Sequence, residues 1–372
     1  MEKKKNAFVI VAIMCLFVLI LVSRFHVGSK EVVKIAVNMP LTGPISSITA
    51  SYPVGLKCGV EDECRKLNVS ASTFVFDIQD NAGQNELAVS IFQKQNMNRY
   101  DVVFSGGSAQ SESILELVKA ERKPHFLFAF DAFMTERDPN IIRVVPNFKM
   151  EAPLYVKYAC QRNAQKVFAV NLNIKAYEDQ YVKLIEPELT RKGIEITRER
   201  IGLQFTDYRT LAEKIKLVNP DVLFLSTYAF QLQPMIAALN QVSWIHEGNV
   251  YSTIDFIDLL SMGIAMNELR GIAFTCPSFQ LRDCSAEAAD WKQMWEERFG
   301  YKPNYTAAYG YITGRMLVQA FYKFGRIGTR DFIGITPCES LAGPVVLDEF
   351  RDLCTTLSIA TLDEEGNPKS IE

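Results

Sequence analysis

The stretch at residues 101–121, "DVVFSGGSAQSESILELVKAE", joins a short apolar run to an amphipathic segment through a pair of glycines. Residues 102–104 predict a buried strand, and a helical pattern begins after Ser108. Glycine between a strand and a helix lets an anion approach the free backbone N–H groups of the first turn. The stretch therefore predicts a strand–turn–helix unit with an anion site. It leaves three anions open: a nucleotide phosphate, the oxyanion of a reaction at Ser108, or a ligand carboxylate.

Strand and helix patterns alternate along most of the chain. A first series of apolar runs predicts strands at 32–39, 72–80, 101–105, 125–130 and 141–146. A second series predicts strands at 166–173, 195–202, 221–227 and 249–253. Runs rich in Val, Ile, Leu and Phe that alternate with helices are typical of parallel sheets covered on both faces, so we expect two doubly wound α/β lobes. The later patterns, including a strand at 271–277 and terminal strands, must add to these lobes.

The composition is that of a globular chain without a basic surplus. The 372 residues are 48% hydrophobic and 22% charged, and the formal net charge is −3. This length suggests about two domains. We expect no nucleic-acid partner, because such a protein would carry a basic face.

The N-terminal 30 residues predict export. Lysines at positions 3–5 precede residues 7–22, a run without any charge. This pattern is typical of a signal peptide, and it also fits an uncleaved membrane anchor or, at Cys15, a lipid anchor. Each alternative places the rest of the chain outside the cytoplasm, and the lysine-rich start favours a bacterial envelope protein.

Seven cysteines follow Cys15, so at least one of them has no partner within the chain. In an oxidising compartment, Cys276–Cys284 and Cys338–Cys354 are plausible disulfides. No Cys-x-x-Cys motif occurs and the chain has only three histidines, so we expect neither a metal nor a cofactor.

Motifs of the common enzyme classes are missing from the sequence. There is no G-x-x-x-x-G-K-[ST] motif, and no G-x-G-x-x-G follows the first strand. Ser108 is not in a G-x-S-x-G elbow, because position 110 is Gln. Of the histidines, His125 starts an apolar strand and His246 falls in a predicted surface loop, so neither is a suitable base. The sequence predicts a protein without a catalytic residue.

Four stretches carry a family resemblance. They are "IAVNMPLTGP", "VVFSGGSAQSES", "AAYGYITGRMLVQAF" and "GPVVLDEFRD", in that order. Together they resemble the type I periplasmic substrate-binding proteins of ABC transporters, in the leucine/isoleucine/valine-binding group, over residues 32–365. The resemblance implies two Rossmann-like lobes with parallel sheets, joined by a three-crossover hinge. Lobe one would be 31–147 plus 278–342, and lobe two 148–277 plus 343–372. The crossings would lie near Pro146-Asn147, Cys276-Pro277 and Gly343-Pro344.

The resemblance also implies ligand contacts from lobe one. Thr42 lies in a loop that either contacts ligand or shapes the lobe. Gly107 and Ser108 match the site at which a serine hydroxyl and its backbone N–H bind the ligand carboxylate; alternatively, Ser108 is simply a helix N-cap. Ile48 stands where the family often has an aromatic residue that stacks on the ligand.

A third loop of lobe one departs from the family pattern. Asp131, Ala132 and Phe133 stand where the family has small residues and a threonine. Asp131 would favour a cationic, amine-bearing or aromatic ligand over a plain aliphatic amino acid. The alternative is that Asp131 caps the following turn.

Lobe two supplies the remaining predicted contacts. Tyr177 and Tyr228 match family tyrosines that line the cleft, where they would either stack on ligand or pack beneath the loops. Asp255 is the nearest match to an acid that pairs with the ligand ammonium, and Ser252 and Thr253 are possible substitutes.

These observations predict a non-enzymatic, extracytoplasmic solute-binding protein that closes around a small amino-acid-like ligand. The family resemblance implies that the closed form docks on the membrane permease of an ABC importer. The alternative is a membrane-anchored sensor with the same ligand-binding fold. We expect a monomer.

Overall fold

The computed structural model describes residues 32–246 and 248–371. The predicted leader and Cys15 lie outside these residues. Within the described residues, no helix combines the length and the apolar character that a membrane crossing requires.

The first sheet contains five parallel strands. Lobe one begins with β1 (Val33–Met39), α1 (Ser46–Thr49), α2 (Ser51–Leu67), β2 (Phe74–Asp80) and α3 (Asn85–Lys94). It continues with β3 (Val102–Gly106), α4 (Ser108–Glu121), β4 (His125–Phe128) and β5 (Ile141–Ile142). The strand order is β2-β1-β3-β4-β5, with all neighbours parallel.

The second sheet contains five parallel strands and two antiparallel ones. Lobe two, which contains this sheet, begins with α5 (Phe148–Gln161), β6 (Lys166–Leu172), α6 (Lys175–Gln180), a π-helical turn (Tyr181–Ile185), α7 (Glu186–Arg191), β7 (Glu195–Ile201) and α8 (Tyr208–Val218). Lobe two continues with β8 (Val222–Ser226), α9 (Ala229–Gln241), β9 (Val250–Ser252), α10 (Asp258–Ser261), α11 (Met266–Leu269) and β10 (Ile272–Pro277).

The chain then returns to lobe one before it ends on lobe two. It forms α12 (Ala286–Phe299), α13 (Tyr305–Phe324), α14 (Thr329–Ile333), a two-stranded ribbon of β11 (Val346–Leu347) and β12 (Leu353–Cys354), and finally β13 (Leu357–Leu362) and β14 (Pro368–Ser370). The second sheet has the order β14-β13-β10-β9-β8-β6-β7, in which β13 and β14 are antiparallel. The two predicted α/β lobes with parallel sheets are therefore confirmed.

The central strands are buried on both faces, which explains their unbroken apolar sequences. Every residue of β3 and of β8 is buried. In the register, Val37 of β1 pairs with Phe104 of β3, and Val170 of β6 pairs with Leu225 of β8. In the first sheet, β2 lies on one side of β1 and β3 lies on the other; in the second sheet, β7 and β8 flank β6 in the same way. The strand order therefore reverses between β1 and β3 and between β6 and β8, and these positions are the topological switch points. Open α/β sheets bind ligands at such points.

The long helix α13 packs directly against α2 through glycines. A Cβ added at Gly310 would lie 2.3 Å from the carbonyl oxygen of Tyr52, and one at Gly55 would lie 2.0 Å from that of Ala307. Gly59 and Gly314 continue the same backbone contact one turn further along. Only glycine permits this approach of two helix backbones, so the return of the chain to lobe one depends on these four positions.

We expect Gly310→Ala to lower the free energy of unfolding by about 1–3 kcal/mol, as overpacked core positions do. Alanine gains about 1 kcal/mol of helix propensity over glycine, but the new methyl group meets rigid backbone rather than a movable side chain. Denaturant unfolding would measure the change. Gly202→Ala is the control, since no atom lies within 4 Å of its added Cβ. Equal stability of the two variants would contradict the packing argument.

The third crossing between the lobes lies further along the chain than the predicted Gly343-Pro344. We predicted that residues 343–372 belong to lobe two, but Val345 and Leu353 lie in the core of lobe one. Arg143, just after β5, pairs with Asp352 as a parallel bridge. We therefore propose that this crossing lies between β12 and β13. The other lobe boundaries stay predictions.

The structure contradicts both predicted disulfides, because all seven cysteines after Cys15 are free thiols. Cys276 lies in the core of lobe two, whereas Cys284 packs against the core of lobe one. Cys338 and Cys354 pair with the adjacent residues Val345 and Val346, on opposite edges of one extended segment. Two strand spacings separate them by about 10 Å, which is too far for a disulfide.

Candidate ligand-binding site

A cavity lies between the two lobes at the carboxyl ends of their strands. It holds about 480 Å³ of space free of protein atoms, part of which is open to solvent. Lobe one contributes the segments that follow β1, β3 and β4. Lobe two contributes the segments after β6, β8 and β9, and the first turn of α5. The cavity therefore borders the switch points of both sheets, as the fold predicts for a ligand site.

The start of α4 forms the electropositive end of the cavity. Gly107 is the N-cap residue with φ +82°, and its N–H donates to the carbonyl of Phe128 at 2.9 Å. Ser108 is the first helical residue, and its Oγ accepts the N–H of Phe130 at 3.2 Å. The Ser108 hydroxyl proton and the first helix N–H groups are thus available to an anion.

A buried hydrogen-bond chain supports this helix start. Ser105, near the end of β3, donates to the hydroxyl of Ser111 at 2.8 Å, and its Oγ lies 2.6 Å from Nε2 of His125. All three side chains are buried. Burial lowers the pKa of His125 to about 3, so the ring is neutral at physiological pH. The geometry gives this serine–histidine pair a role in positioning α4.

Aromatic rings cross the cavity from one lobe to the other. Phe130 of lobe one lies 5.8 Å from Phe148 of lobe two, measured between ring centroids. Phe148 packs edge-on to Tyr177 at 4.8 Å, and Tyr177 packs edge-on to Tyr228 at 6.0 Å. Ile45, Ile48 and Ile254 add aliphatic surface to the same walls. The walls that face the cavity are thus largely apolar, as in most small-molecule sites.

Asp255 adds a carboxyl to the lobe-two side of the cavity wall, in the 3₁₀ turn Ile254–Ile257 after β9. Its backbone N–H donates to Thr253 Oγ1 at 3.3 Å, and its Oδ1 accepts the hydroxyl of Tyr305 at 2.7 Å. Burial raises the pKa of Asp255 to about 6, although the hydrogen bond from Tyr305 lowers it. A ligand cation would restore the charged form by compensating the lost solvation.

Glu151 is a second acid in the wall of the cavity. It lies in the first turn of α5, and its Oε1 accepts the N–H of Ile254 at 2.9 Å. Burial raises the pKa of Glu151 to about 7, and the nearby Asp255 also raises it, whereas the Ile254 N–H and the side chains of Thr275 and Gln180 lower it. The cavity therefore has hydrogen-bond donors on lobe one and carboxyls on lobe two.

Six of the predicted site residues line this cavity: Gly107, Ser108, Tyr177, Tyr228, Thr253 and Asp255. Their contact with ligand stays a prediction. The alternative interpretation of Ser108 as the N-cap is wrong, since Gly107 holds that position.

The structure places the cleft loop, residues 130–133, partly outside the cavity. Only Phe130 of this loop is a wall residue. Asp131 accepts the N–H of Phe133 at 2.9 Å through Oδ1, which is the turn cap of our alternative interpretation, and its Oδ2 lies 3.8 Å from the ammonium of Lys175. Asp131, Ala132 and Phe133 are thus not among the wall residues of the cavity, and their contact with ligand stays a prediction.

Ala132 and Phe133 instead join the two lobes. Ala132 is buried in the core of lobe two, and Phe133 packs against that core. The ammonium groups of Lys149 and Lys183 lie 5.3 and 4.7 Å from the centroid of the Phe133 ring. Ala132 and Phe133 therefore contact residues of lobe two.

Thr42 also lies outside the cavity wall. Its hydroxyl donates to Asp80 Oδ2 at 2.6 Å, while Asp80 Oδ1 accepts the N–H groups of Leu41 and Ala82. These bonds tie the loop after β1 to the end of β2, which is the shaping role that we kept open for Thr42.

Sequence reasoning missed several wall residues, chief among them Thr49, Phe130, Phe148 and Glu151. A signal for two of them was available: Phe148 and Glu151 follow the predicted crossing at Pro146-Asn147 within five residues. Any residue so close to a crossing at the cleft is a candidate for the cavity wall.

Comparisons with known proteins agree with this architecture. The family model described as periplasmic binding protein matches residues 32–334. No curated protein matches the chain. A leucine-binding protein from Thermotoga maritima shares 16% identity and a TM-score of 0.79, over 91% of this chain and 98% of the other.

Two further solved structures carry ligands. A solute-binding protein of an ABC transporter from Rhodopseudomonas palustris, in complex with 3,4-dihydroxybenzoic acid, shares 20% identity and a TM-score of 0.78 over 92% and 96% of the two chains. A branched-chain amino acid transporter substrate-binding protein from Streptococcus pneumoniae, in complex with isoleucine, shares 14% identity and a TM-score of 0.79 over 92% and 99%. At these identities the likeness shows the fold alone. Because the family model spans most of the chain, this protein belongs to the periplasmic binding protein family, with the type I fold that the sequence resemblance predicted.

Proposed function

We propose that this protein is the solute-binding component of an ABC importer and that it binds a small ligand with both a carboxylate and a cationic nitrogen. One observation carries the proposal: Ser108 at the start of α4 lines the cavity from lobe one, and Asp255 lines it from lobe two. A zwitterion would satisfy both ends, and its apolar body would lie among the aromatic rings.

Such a ligand would couple binding to lobe closure. Its carboxylate would be held by lobe one and its ammonium by lobe two, so both interactions would exist together only in the closed form. A ligand shifts a conformational equilibrium by its difference in affinity for the two states. Ligand binding would thus favour the closed lobes, the form that would dock on a permease.

Transport is supported by family membership and by the solved structures, two of which come from proteins described as parts of transporters. Proteins of this family work outside the cytoplasm, which agrees with the exported N-terminal pattern. The importer and its permease are part of our proposal, as is any anchor within residues 1–30.

The test begins with a thermal-shift screen of L-leucine, L-isoleucine, L-phenylalanine and benzoate. We expect an amino acid to stabilise the protein and benzoate, which lacks a cation, to do so far less. In calorimetric titration, Ser108→Ala should then weaken amino-acid binding by about 1–3 kcal/mol, since a hydrogen bond to a charged group is lost.

Ser113→Ala is a matched control, because Ser113 lies on the same helix but outside the cavity wall. Equal affinity of the Ser108→Ala variant and the wild type would remove Ser108 from the carboxylate site. Tight binding of benzoate with no binding of any amino acid would overturn the zwitterion proposal.

A further inference from the structure

Glu151 has a feature that the proposed function leaves unused. Its side chain is 1% exposed and belongs to the cavity wall. One carboxyl oxygen, Oε1, accepts the N–H of Ile254. The other, Oε2, is buried and has no donor in hydrogen-bonding geometry among the residues that the structure describes, although the side chains of Thr275 and Gln180 lie near enough to the carboxyl to lower its pKa. The cavity therefore contains a buried acceptor without a donor.

Such an acceptor is costly. A buried polar atom without a partner loses its hydration and gains nothing in return, and the loss is larger for a charged group. Glu151 reduces this cost in the empty cavity by holding its proton, in agreement with its raised pKa. A ligand that brings an N–H and a positive charge to Oε2 would remove the cost altogether.

The position of Glu151 relative to Asp255 indicates how many N–H donors the cationic nitrogen of the ligand must carry. Glu151 is anchored to the N–H of Ile254, and Asp255 is the next residue along the chain. The two carboxyls thus flank the same residue at one end of the cavity. A single nitrogen could reach both only if it has a separate hydrogen for each.

We propose that Glu151 is a second cation-binding carboxyl, which accepts an N–H of the ligand through Oε2 while Asp255 accepts another. This inference rests on the proposed function, and it adds a specificity-determining residue to it. Primary and N-methyl ammonium groups carry at least two N–H donors and fit the pair. N,N-dimethyl and trimethyl ammonium groups carry one donor or none, and would leave a buried acceptor unpaired.

Other titratable groups surround the pair and bear on any pH measurement. Asp258 follows in the same segment as Asp255, and burial raises its pKa well above the ordinary value. Burial also raises the pKa values of the surrounding tyrosines, so they stay neutral at physiological pH: Tyr155 on α5, Tyr177 on α6, Tyr181 in the π-helical turn, Tyr228 before α9 and Tyr305 on α13. The carboxyls are thus the groups of this cluster that can release a proton when a cation binds.

The experiment compares L-leucine and L-phenylalanine with their N,N-dimethyl derivatives by calorimetric titration, in two buffers of different ionisation enthalpy. For the wild type we expect about tenfold or greater preference for each primary amine, with proton release on binding near pH 6.5. Glu151→Gln keeps the side-chain shape and an oxygen for the Ile254 N–H. This variant should lose about tenfold in affinity for the primary amines, lose most of the preference over the dimethyl derivatives, and release fewer protons.

The outcomes separate this inference from the proposed function. If the wild type binds none of the four amines, the proposed function fails and Glu151 has no cation to receive. If the wild type binds the primary and dimethyl amines equally, the inference on Glu151 is wrong while the proposed function stands. The same holds if Glu151→Gln binds and releases protons as the wild type does. The wild-type comparison needs no variant, so it decides the matter even where Glu151→Gln fails to fold.

Discussion

Asp352→Ala is expected to lower the free energy of unfolding by about 3–5 kcal/mol. Asp352 is 2% exposed and its partner Arg143 is 0% exposed. The guanidinium Nε donates to Oδ1 at 2.7 Å and Nη2 donates to Oδ2 at 2.9 Å, so the pair is bidentate. Removing the carboxylate would leave a buried, permanently charged guanidinium without its counterion.

The pair also holds the wall of the cavity. Nη1 of Arg143 donates to the carbonyl of Ala129 at 2.9 Å and to that of Asp131. Thr135 donates its hydroxyl to Asp352 Oδ2 at 2.9 Å. The ion pair thus links the segment before β12 to the cleft loop after β4. We expect Asp352→Ala to weaken ligand binding as well as stability.

Denaturant unfolding with a linear extrapolation would measure the loss of stability. Asp331→Ala is the control, because its ion pair with Arg326 lies at the surface and should be worth under about 1 kcal/mol. The double variant Arg143→Met with Asp352→Leu leaves no unpaired charge, so it should be more stable than Asp352→Ala. A loss in Asp352→Ala no larger than that in Asp331→Ala would show that the buried pair contributes little.

The local patterns of the sequence predicted the secondary structure well, since both lobes repeat a unit of one strand followed by one helix. The turn at Gly107 illustrates why: an apolar strand, a residue that tolerates positive φ and a helix start lie within a few residues, so local rules suffice. The return of the chain to lobe one was also predictable, because two terminal strands cannot form a domain of their own. The glycine contacts between α2 and α13 were not, because they join positions about 255 residues apart, such as Gly55 and Gly310.

The cavity was harder to predict than the fold. Asp131 has the residue type and the strand-end position of a ligand-binding acid, but the same short side chain also closes its own turn, and that local bond prevailed. Glu151, in contrast, does not look like a ligand-binding acid in the sequence. An acid in the first turn of a helix is ordinarily explained by the helix dipole and by solvent. Only the packing of α5 against the turn after β9 shows that its carboxyl is buried at the cavity.

Asp255→Asn is expected to weaken binding of L-leucine or L-phenylalanine by about 2–5 kcal/mol, because a buried ligand cation would lose its counterion. The asparagine oxygen can still accept the hydroxyl of Tyr305, so the local structure should persist. Since 1.4 kcal/mol corresponds to a factor of ten in affinity, calorimetric titration will resolve the change.

The pH dependence provides a second readout of the same charge. The pKa of Asp255 is raised to about 6, so the empty site is neutral at this residue below pH 6 and anionic above it. A ligand cation binds the anionic form, so wild-type affinity should rise between pH 5 and pH 7, by at most tenfold per pH unit for this one proton. Asp255→Asn should remove that contribution and leave the part that belongs to Glu151.

Asp131→Asn is the matched comparison, because asparagine can keep the turn bond to the Phe133 N–H while it removes the charge that the sequence assigned to ligand selection. Its ion pair with Lys175 is solvent-exposed on the lysine side, so its loss should change affinity little. If Asp131→Asn lost amine binding and Asp255→Asn kept it, the ligand cation would lie at the cleft loop. The carboxyls after β9 and in α5 would then serve only the packing between the lobes.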